Sequence, residues 1–166
     1  MNCHLVISPR HLHAIGRHAA MTYPGECCGV LIGRPHRNGL EKVFVERILA
    51  VQPADGGGDG QGADPVPAET HAAAAHEAQS LGMEVVGYYL ARAGGTATPS
   101  ELELETLRPG MSYLLTAISA GQVVETRAWR LSPDRQGLEE EAVEAALVAP
   151  LPRPETLIEQ VEKNGN

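Results

Sequence analysis

One stretch limits the fold more than any other: Gly87 to Glu105, reading Gly-Tyr-Tyr-Leu-Ala-Arg-Ala-Gly-Gly-Thr-Ala-Thr-Pro-Ser-Glu-Leu-Glu-Leu-Glu. It continues an apolar run, Met83 to Tyr89, that reads as a buried central strand. It then crosses small residues from Ala91 to Thr98 and enters a helix after Pro99. Ser100 and Glu103 have the Ser-x-x-Glu spacing of a capping box, which satisfies orphan backbone donors at a helix start. A buried strand that ends in a small-residue loop and a helix N-terminus points to an α/β domain, and such an exit is a common place for chemistry. Here the exit holds Leu90, Ala91, Arg92 and Ala93, with no His, Cys or Asp.

The rest of the chain supplies the layers around that strand. Leu5 to Ile7 is a short strand. Ser8-Pro9 is an N-cap followed by a proline at the first helical position, and Leu12, Ile15 and Ala19 form a helical stripe that Tyr23-Pro24-Gly25 ends. His11, His13 and His18 decorate this helix as polar surface. Cys27 to Gly33 reads as a buried strand with Glu26 at its entrance, Arg34 to Leu40 as a hairpin loop, and Val43 to Val51 as the partner strand. Residues 52–67 are Gly- and Pro-rich and read as a flexible loop; no Gly-Lys-Ser/Thr follows, so phosphate binding is not implied. Ala68 to Leu81 is a helix stopped by Gly82, with His71 and His76 too far apart around it to share a metal. Tyr113 to Ser119 and Gln122 to Leu131 form a hairpin over Ala120-Gly121. Leu138 to Val148 reads as an acidic amphipathic helix, and Glu155 to Lys163 as a second short one. The domain therefore spans residues 1–133, and 134–166 form an acidic helical tail.

Composition narrows the function. The 166 residues suit one domain, and a formal charge of −8 makes sequence-independent binding to a nucleic-acid backbone improbable. No segment is apolar for the roughly 18 residues of a membrane span, and the first ten residues lack a signal-peptide core. Three cysteines, Cys3, Cys27 and Cys28, give no disulfide framework, so a cytoplasmic setting is expected.

Five blocks now stand in order: Tyr23 to Gly33, Val85 to Tyr89, Pro99-Ser100, Tyr113 to Leu115 and Arg127 to Leu131. Together they resemble the bacterial branch of the JAMM (MPN, JAB) metallopeptidase family, over roughly Leu5 to Leu131. The resemblance implies a mixed α/β, cytidine-deaminase-like MPN fold: one domain with a central curved mixed sheet flanked by helices. Active members of the family are zinc isopeptidases that cut after the C-terminal glycine of ubiquitin or of ubiquitin-like sulfur carriers. Their signature is His-x-His-Pro, a loop, then Pro-Ser-x-x-Asp. The two His and the Asp hold zinc, an early Glu is the general base, and the Ser helps hold the oxyanion. Three protein ligands leave a fourth position for a water whose pKa falls toward about 7.

Laid on this chain, the Ser falls on Ser100 and the early Glu on Glu26. The first His position is Leu90, the second is Arg92, and the Asp position is Glu103. Leu has no donor atom and Arg no available lone pair at neutral pH. The resemblance thus implies a degenerate member with Glu26 and Ser100 kept at catalytic positions, no metal ligands, and no cofactor. Binding falls to Arg92 and Tyr89, and Arg92 is expected to pair with Glu26, Glu103 or both. The partner would be a ubiquitin-like or sulfur-carrier tail or an MPN homologue, with no nucleic acid and no membrane; a homodimer is compatible. The opposing class is an enzyme with a rebuilt zinc site, in which Cys27 or Cys28 joins Glu26 and Glu103 on a metal or acts as a nucleophile.

Overall fold

In a computed structural model the described residues are 3–38, 40–51, 66, 68–94, 96–134 and 136–146, with the backbone alone at 3, 36–38, 40, 41, 102 and 103. The chain runs β1 (Cys3–Ile7), α1 (Pro9–Thr22), β2 (Cys27–Asn38), β3 (Leu40–Val51), α2 (Ala68–Ser80), β4 (Glu84–Ala93), α3 (Glu101–Thr106), β5 (Ser112–Ser119), β6 (Gln122–Leu131) and β7 (Leu138–Ala145). Local chemistry sets most of these ends. The Ser8 hydroxyl accepts from the His11 N–H at 3.3 Å and Pro9 opens α1. After α2, Gly82 at φ +71° donates to Gln79 O at 3.1 Å, and Met83 N donates to Ala78 O at 2.9 Å. This pair of bonds is a Schellman stop. Ala120 and Gly121, both at positive φ, make the tight β5–β6 turn.

The seven strands form one mixed sheet in the order β1-β3-β2-β4-β5-β6-β7, curved enough that β7 pairs back on β1. β1–β3, β1–β7 and β4–β5 are parallel; the other neighbours are antiparallel. α1 sits on the inner face. Its Ile15 and Ala19 join a core to which every strand contributes, among them Leu5, Leu31, Val45, Tyr89, Leu114, Ala128 and Val143. α2 covers the outer face, where Ala74 and Ala78 meet Val30, Ile32, Val85, Tyr88 and Tyr113. Among the described residues no helix is long and apolar enough to cross a membrane.

Two sequence expectations change, and a third falls outside the described residues. The β2–β3 strands continue through most of Arg34 to Leu40, because Arg34 to Asn38 stay laddered to Phe44 to Leu40, so of the expected loop only residue 39, outside the described residues, is not strand. The residues 52–65 lie outside the described residues. Most importantly, Leu138 to Ala145 is strand β7 and not a helix. Glu and Ala favour helix locally, but β1 and β6 would otherwise leave unpaired edges, and pairing overrides propensity. Cross-strand partners meet the acidic side chains: Glu144 Oε1 to His4 Nδ1 at 2.7 Å and Oε2 to Lys42 Nζ at 3.7 Å, and Glu140 Oε1 to Arg127 Nε at 2.6 Å. The sheet therefore extends past residue 133, and the expected helix at Glu155 to Lys163 lies outside the described residues.

β4 lies against β5 with no room for a side chain at Gly87. A Cβ there would stand 1.9 Å from the Ser112 carbonyl oxygen. Gly87→Ala should therefore destabilise the domain by about 1–3 kcal/mol, the usual range for overpacking. An unchanged urea midpoint would show that the two strands can separate at this point.

Candidate functional site

The strand exit is more ordered than the sequence implies. β4 does not end near Tyr89 but continues to Ala93, since both neighbours are present to pair with it. Cys28 and Cys27 of β2 oppose Leu90 and Ala91, while Leu115 to Ile118 of β5 run beside Leu90 to Ala93. The loop begins at Gly94, whose φ is +72° and whose N–H donates to Ile118 O at 2.9 Å.

Strand alternation then sorts the side chains. Tyr88, Leu90 and Arg92 face outward; Tyr89 and Ala91 face the α1 side. A bulge helps set this order: Leu31 opposes Gly87 while Ile32 opposes Val85, leaving Val86 as an extra residue. Half-buried Leu90 packs on the outer core together with Cys28 of β2 and Leu104 of α3. Arg92, also half-buried, donates from Nη2 to the Thr98 carbonyl at 2.7 Å. The neighbouring carbonyl, of buried Ala97, accepts from Trp129 Nε1 at 2.8 Å. Trp129 is itself covered by the Arg127 guanidinium, 5.4 Å from its ring centre. Two consecutive carbonyls of the loop are thus pinned from two different strands.

Glu26 is exposed and directly precedes Cys27, so the β2–β4 ladder brings its backbone level with Arg92. Ser100 is exposed in front of α3, and its carbonyl accepts from Leu104 N at 3.0 Å. Glu103 falls within α3. Its side chain lies outside the described residues, and so do the capping box expected with Ser100 and the pairing expected with Arg92. The structure thus gathers Glu26, Leu90, Arg92 and the start of α3 at one end of the sheet. The donor chemistry there does not fit a zinc ion, because Leu90 offers no donor and Arg92 only a cation. Among the described residues, no three His, Cys, Asp or Glu side chains are placed to share a metal.

Tyr89 does not belong to this surface. It is 1% exposed in the inner core, on the opposite side of β4 from Leu90 and Arg92. Its hydroxyl bonds His18 Nδ1 of α1 at 2.8 Å. Burial raises its pKa, and the neighbouring Cys27 and Cys28 add to the rise. Its neighbour Tyr88 does the same on the other face, where its hydroxyl bonds His71 Nδ1 of α2. Tyr88 also stacks on Tyr113, ring centres 5.4 Å apart at 29°. His18, read as helix decoration, and His71, read only as unable to share a metal with His76, therefore hold helices to the central strand. The only signal in the sequence is the adjacency of Tyr88 and Tyr89, which alternation must send to opposite faces.

Cys27 is buried, and burial, then the adjacent Cys28, pushes its thiol up to about 11 against a smaller opposing bond from Thr22. A thiol that stays protonated at neutral pH is a poor nucleophile and a poor metal ligand.

The family model for prokaryotic homologues of the JAB domain matches residues 8–132. Among solved structures, a Desulfitobacterium hafniense protein aligns at 21% identity with a TM-score of 0.67, over 87% of this chain and 94% of its own. A Salinibacter ruber protein aligns at 28% identity and a TM-score of 0.63, over 88% and 92%. A JAB1/MPN domain protein from Archaeoglobus fulgidus aligns at 18% identity and a TM-score of 0.52, over 89% and 100%. No curated protein matches the chain.

The Cys27 shift has a definite sign. The thiol ionises near pH 9.0 when unperturbed and near 11 in the fold. Its contribution to stability is therefore intact below about pH 9 and is lost as pH rises toward about 11. Urea midpoints measured from pH 8 to 11 should fall less steeply for Cys27→Ala than for the parent chain. Equal slopes would mean the thiol is not shielded by the fold.

Proposed function

The chain belongs to the family of prokaryotic homologues of the JAB domain, and from that membership we propose that it is a non-hydrolytic protein-binding or scaffold module. The reading rests on one observation: the two positions where the family resemblance calls for imidazoles carry Leu90, packed into the outer core with Cys28 and Leu104, and Arg92, bonded to the Thr98 carbonyl. A leucine seated in this way leaves no donor where the first ligand would stand, and a guanidinium repels a divalent cation. The peptidase frame is retained around them, with Glu26 at the mouth of β2 and Ser100 before α3.

The partner class follows from the resemblance rather than from geometry: the tail of a ubiquitin-like or sulfur-carrier protein, or an active homologue that uses this domain as a partner. Glu26, Ser100 and half-buried Arg92 would then serve as polar contacts for a bound backbone or carboxylate. Arg suits that role because its planar fork matches a carboxylate. Tyr89, buried behind the sheet, would act only by holding α1 in place.

Metal content separates this reading from a rebuilt peptidase. The purified chain, dialysed against buffer, should retain less than about 0.1 zinc per molecule, as expected for a site with no imidazole. The triple variant Leu90→His, Arg92→His and Glu103→Asp should bind zinc near one equivalent, because the frame is intact. Stoichiometric zinc that survives dialysis in the parent chain, with cleavage of a ubiquitin-like fusion, would overturn the proposal.

A further inference from the structure

The strand order leaves a fork in the sheet. β7 pairs with β6 only where Leu138 to Glu141 oppose Leu131 to Ala128. Its second half, Ala142 to Ala145, pairs with His4 to Ile7 of β1. No described strand covers the β6 edge from Gln122 to Arg127, or the facing edge of β7 from Ala142 to Ala145. The two edges diverge around a groove of about 510 Å³ lined by Thr126, Arg127, Glu140, Glu141, Ala142 and Val143.

We propose that this fork receives an extended segment of a partner protein as an added strand, and that the segment presents Lys or Arg to the rim. Six residues of open edge offer roughly 20 Å of backbone ladder, and strand addition at such an edge is a recurrent way to bind peptides. The edge has no Lys and no Pro to block pairing, and Val123 and Val124 are 46% and 62% exposed; α1 reaches it at Val123, whose Cγ2 would lie 3.4 Å from a Cβ on Gly16. A bulge at Val124, between the Ala117–Glu125 and Ile118–Val123 pairs, turns that valine outward.

Charge selects the occupant. Among the described residues Arg127 is the one cation lining the groove, against exposed Glu140; Glu141, also in the lining, is buried beside Arg130 Nε at 3.8 Å and takes no part in the rim. The Arg127 guanidinium is already shared, with Glu140 at 2.6 Å and Glu125 at 3.6 Å. Glu144, farther along β7, is already met by His4 and Lys42, so the acidic excess of the rim is Glu125 and Glu140 sharing Arg127 alone. A basic strand gains from this rim, whereas a second copy of a chain with a formal charge of −8 brings the same carboxylates to face their equals. The fork is distinct from the Leu90 frame. Leu90 is level with Leu115, and Leu115 with Arg127, so the groove lies two strand spacings, roughly 10 Å, away. The inference goes beyond the proposed function and holds whatever the Leu90 frame binds.

The test is amide NMR on the full chain with three capped hexapeptides: alternating Lys-Val, alternating Glu-Val, and the Lys-Val peptide with alternate backbone nitrogens methylated. The Lys-Val peptide should give saturable shifts at Gln122 to Arg127 and Ala142 to Ala145. The Glu-Val peptide should bind at least about tenfold more weakly, the size of one well-placed charge contact. The methylated peptide should not bind, because it cannot ladder. Glu125→Lys should narrow or reverse the charge preference while leaving the thermal midpoint nearly unchanged. Absence of saturable shifts at these amides overturns the proposal, as does equal binding of the methylated peptide. So does slow exchange of the Gln122 to Arg127 amides without peptide: if concentration-dependent, a second copy fills the fork; if not, the chain itself does.

Discussion

The fold depends on β4 being buried on both faces, and two adjacent tyrosines make that possible. Tyr88 and Tyr89 are 2% and 1% exposed, yet each carries a hydroxyl that costs free energy if buried without a partner. Each finds one on a different helix, His71 of α2 outside and His18 of α1 inside. The requirement fixes both helices against the strand at known heights. Gly29 of β2 makes the inner arrangement compulsory: a Cβ there would stand 2.0 Å from the Tyr89 ring, so the ring lies where a side chain would otherwise be. With aromatics only 4% of the chain, these rings are a large share of the bulky material available for the core.

Much of this was legible in the residues and some was not, for identifiable reasons. α1 was readable because its start is written in local chemistry, Ser8 followed by Pro9. The β5–β6 hairpin was readable because Ala120-Gly121 is flanked by strand-forming runs. The length of β4 was not: Ala91 and Ala93 look like loop in isolation and are strand only because β2 and β5 lie on either side. The position of Tyr89 was misjudged for a related reason, since a residue next to a site in sequence is behind the sheet when alternation runs against it. That Leu90, Arg92 and Glu103 stand where the resemblance calls for His, His and Asp could be read from the sequence, but not that Leu90 would pack on the outer core, as Cys28 and Leu104 also do.

β7 is the clearest case of tertiary context overriding propensity. Leu138-Glu139-Glu140-Glu141-Ala142-Val143-Glu144-Ala145 is rich in helix formers, and its spacing also fits an amphipathic helix. Propensity differences among these residues amount to a few tenths of a kcal/mol each, while leaving the β1 and β6 edges unpaired would forfeit several backbone hydrogen bonds at about 1 kcal/mol each. The alternation confirms which wins: Leu138 and Val143 reach opposite cores, and Glu140 and Glu144 meet Arg127 and His4 across the strands.

The same comparison of magnitudes explains what gives the strand exit its shape. Structural zinc contributes on the order of 10–16 kcal/mol in small domains that depend on it. What stands at the corresponding positions is far weaker. A half-buried leucine is worth about 1 kcal/mol, and a charged hydrogen bond such as Arg92 to Thr98 about 1.5–3 kcal/mol. These contacts cannot organise the strand exit alone. The ordering comes from elsewhere: β4 laddered on both sides through Ala91, Trp129 bonded to the Ala97 carbonyl, and the two tyrosine–histidine clamps behind. In a fold built this way the ligand side chains project from a backbone that is already fixed. Leu90 and Arg92 therefore stand at positions whose geometry is set by the strands on either side of them.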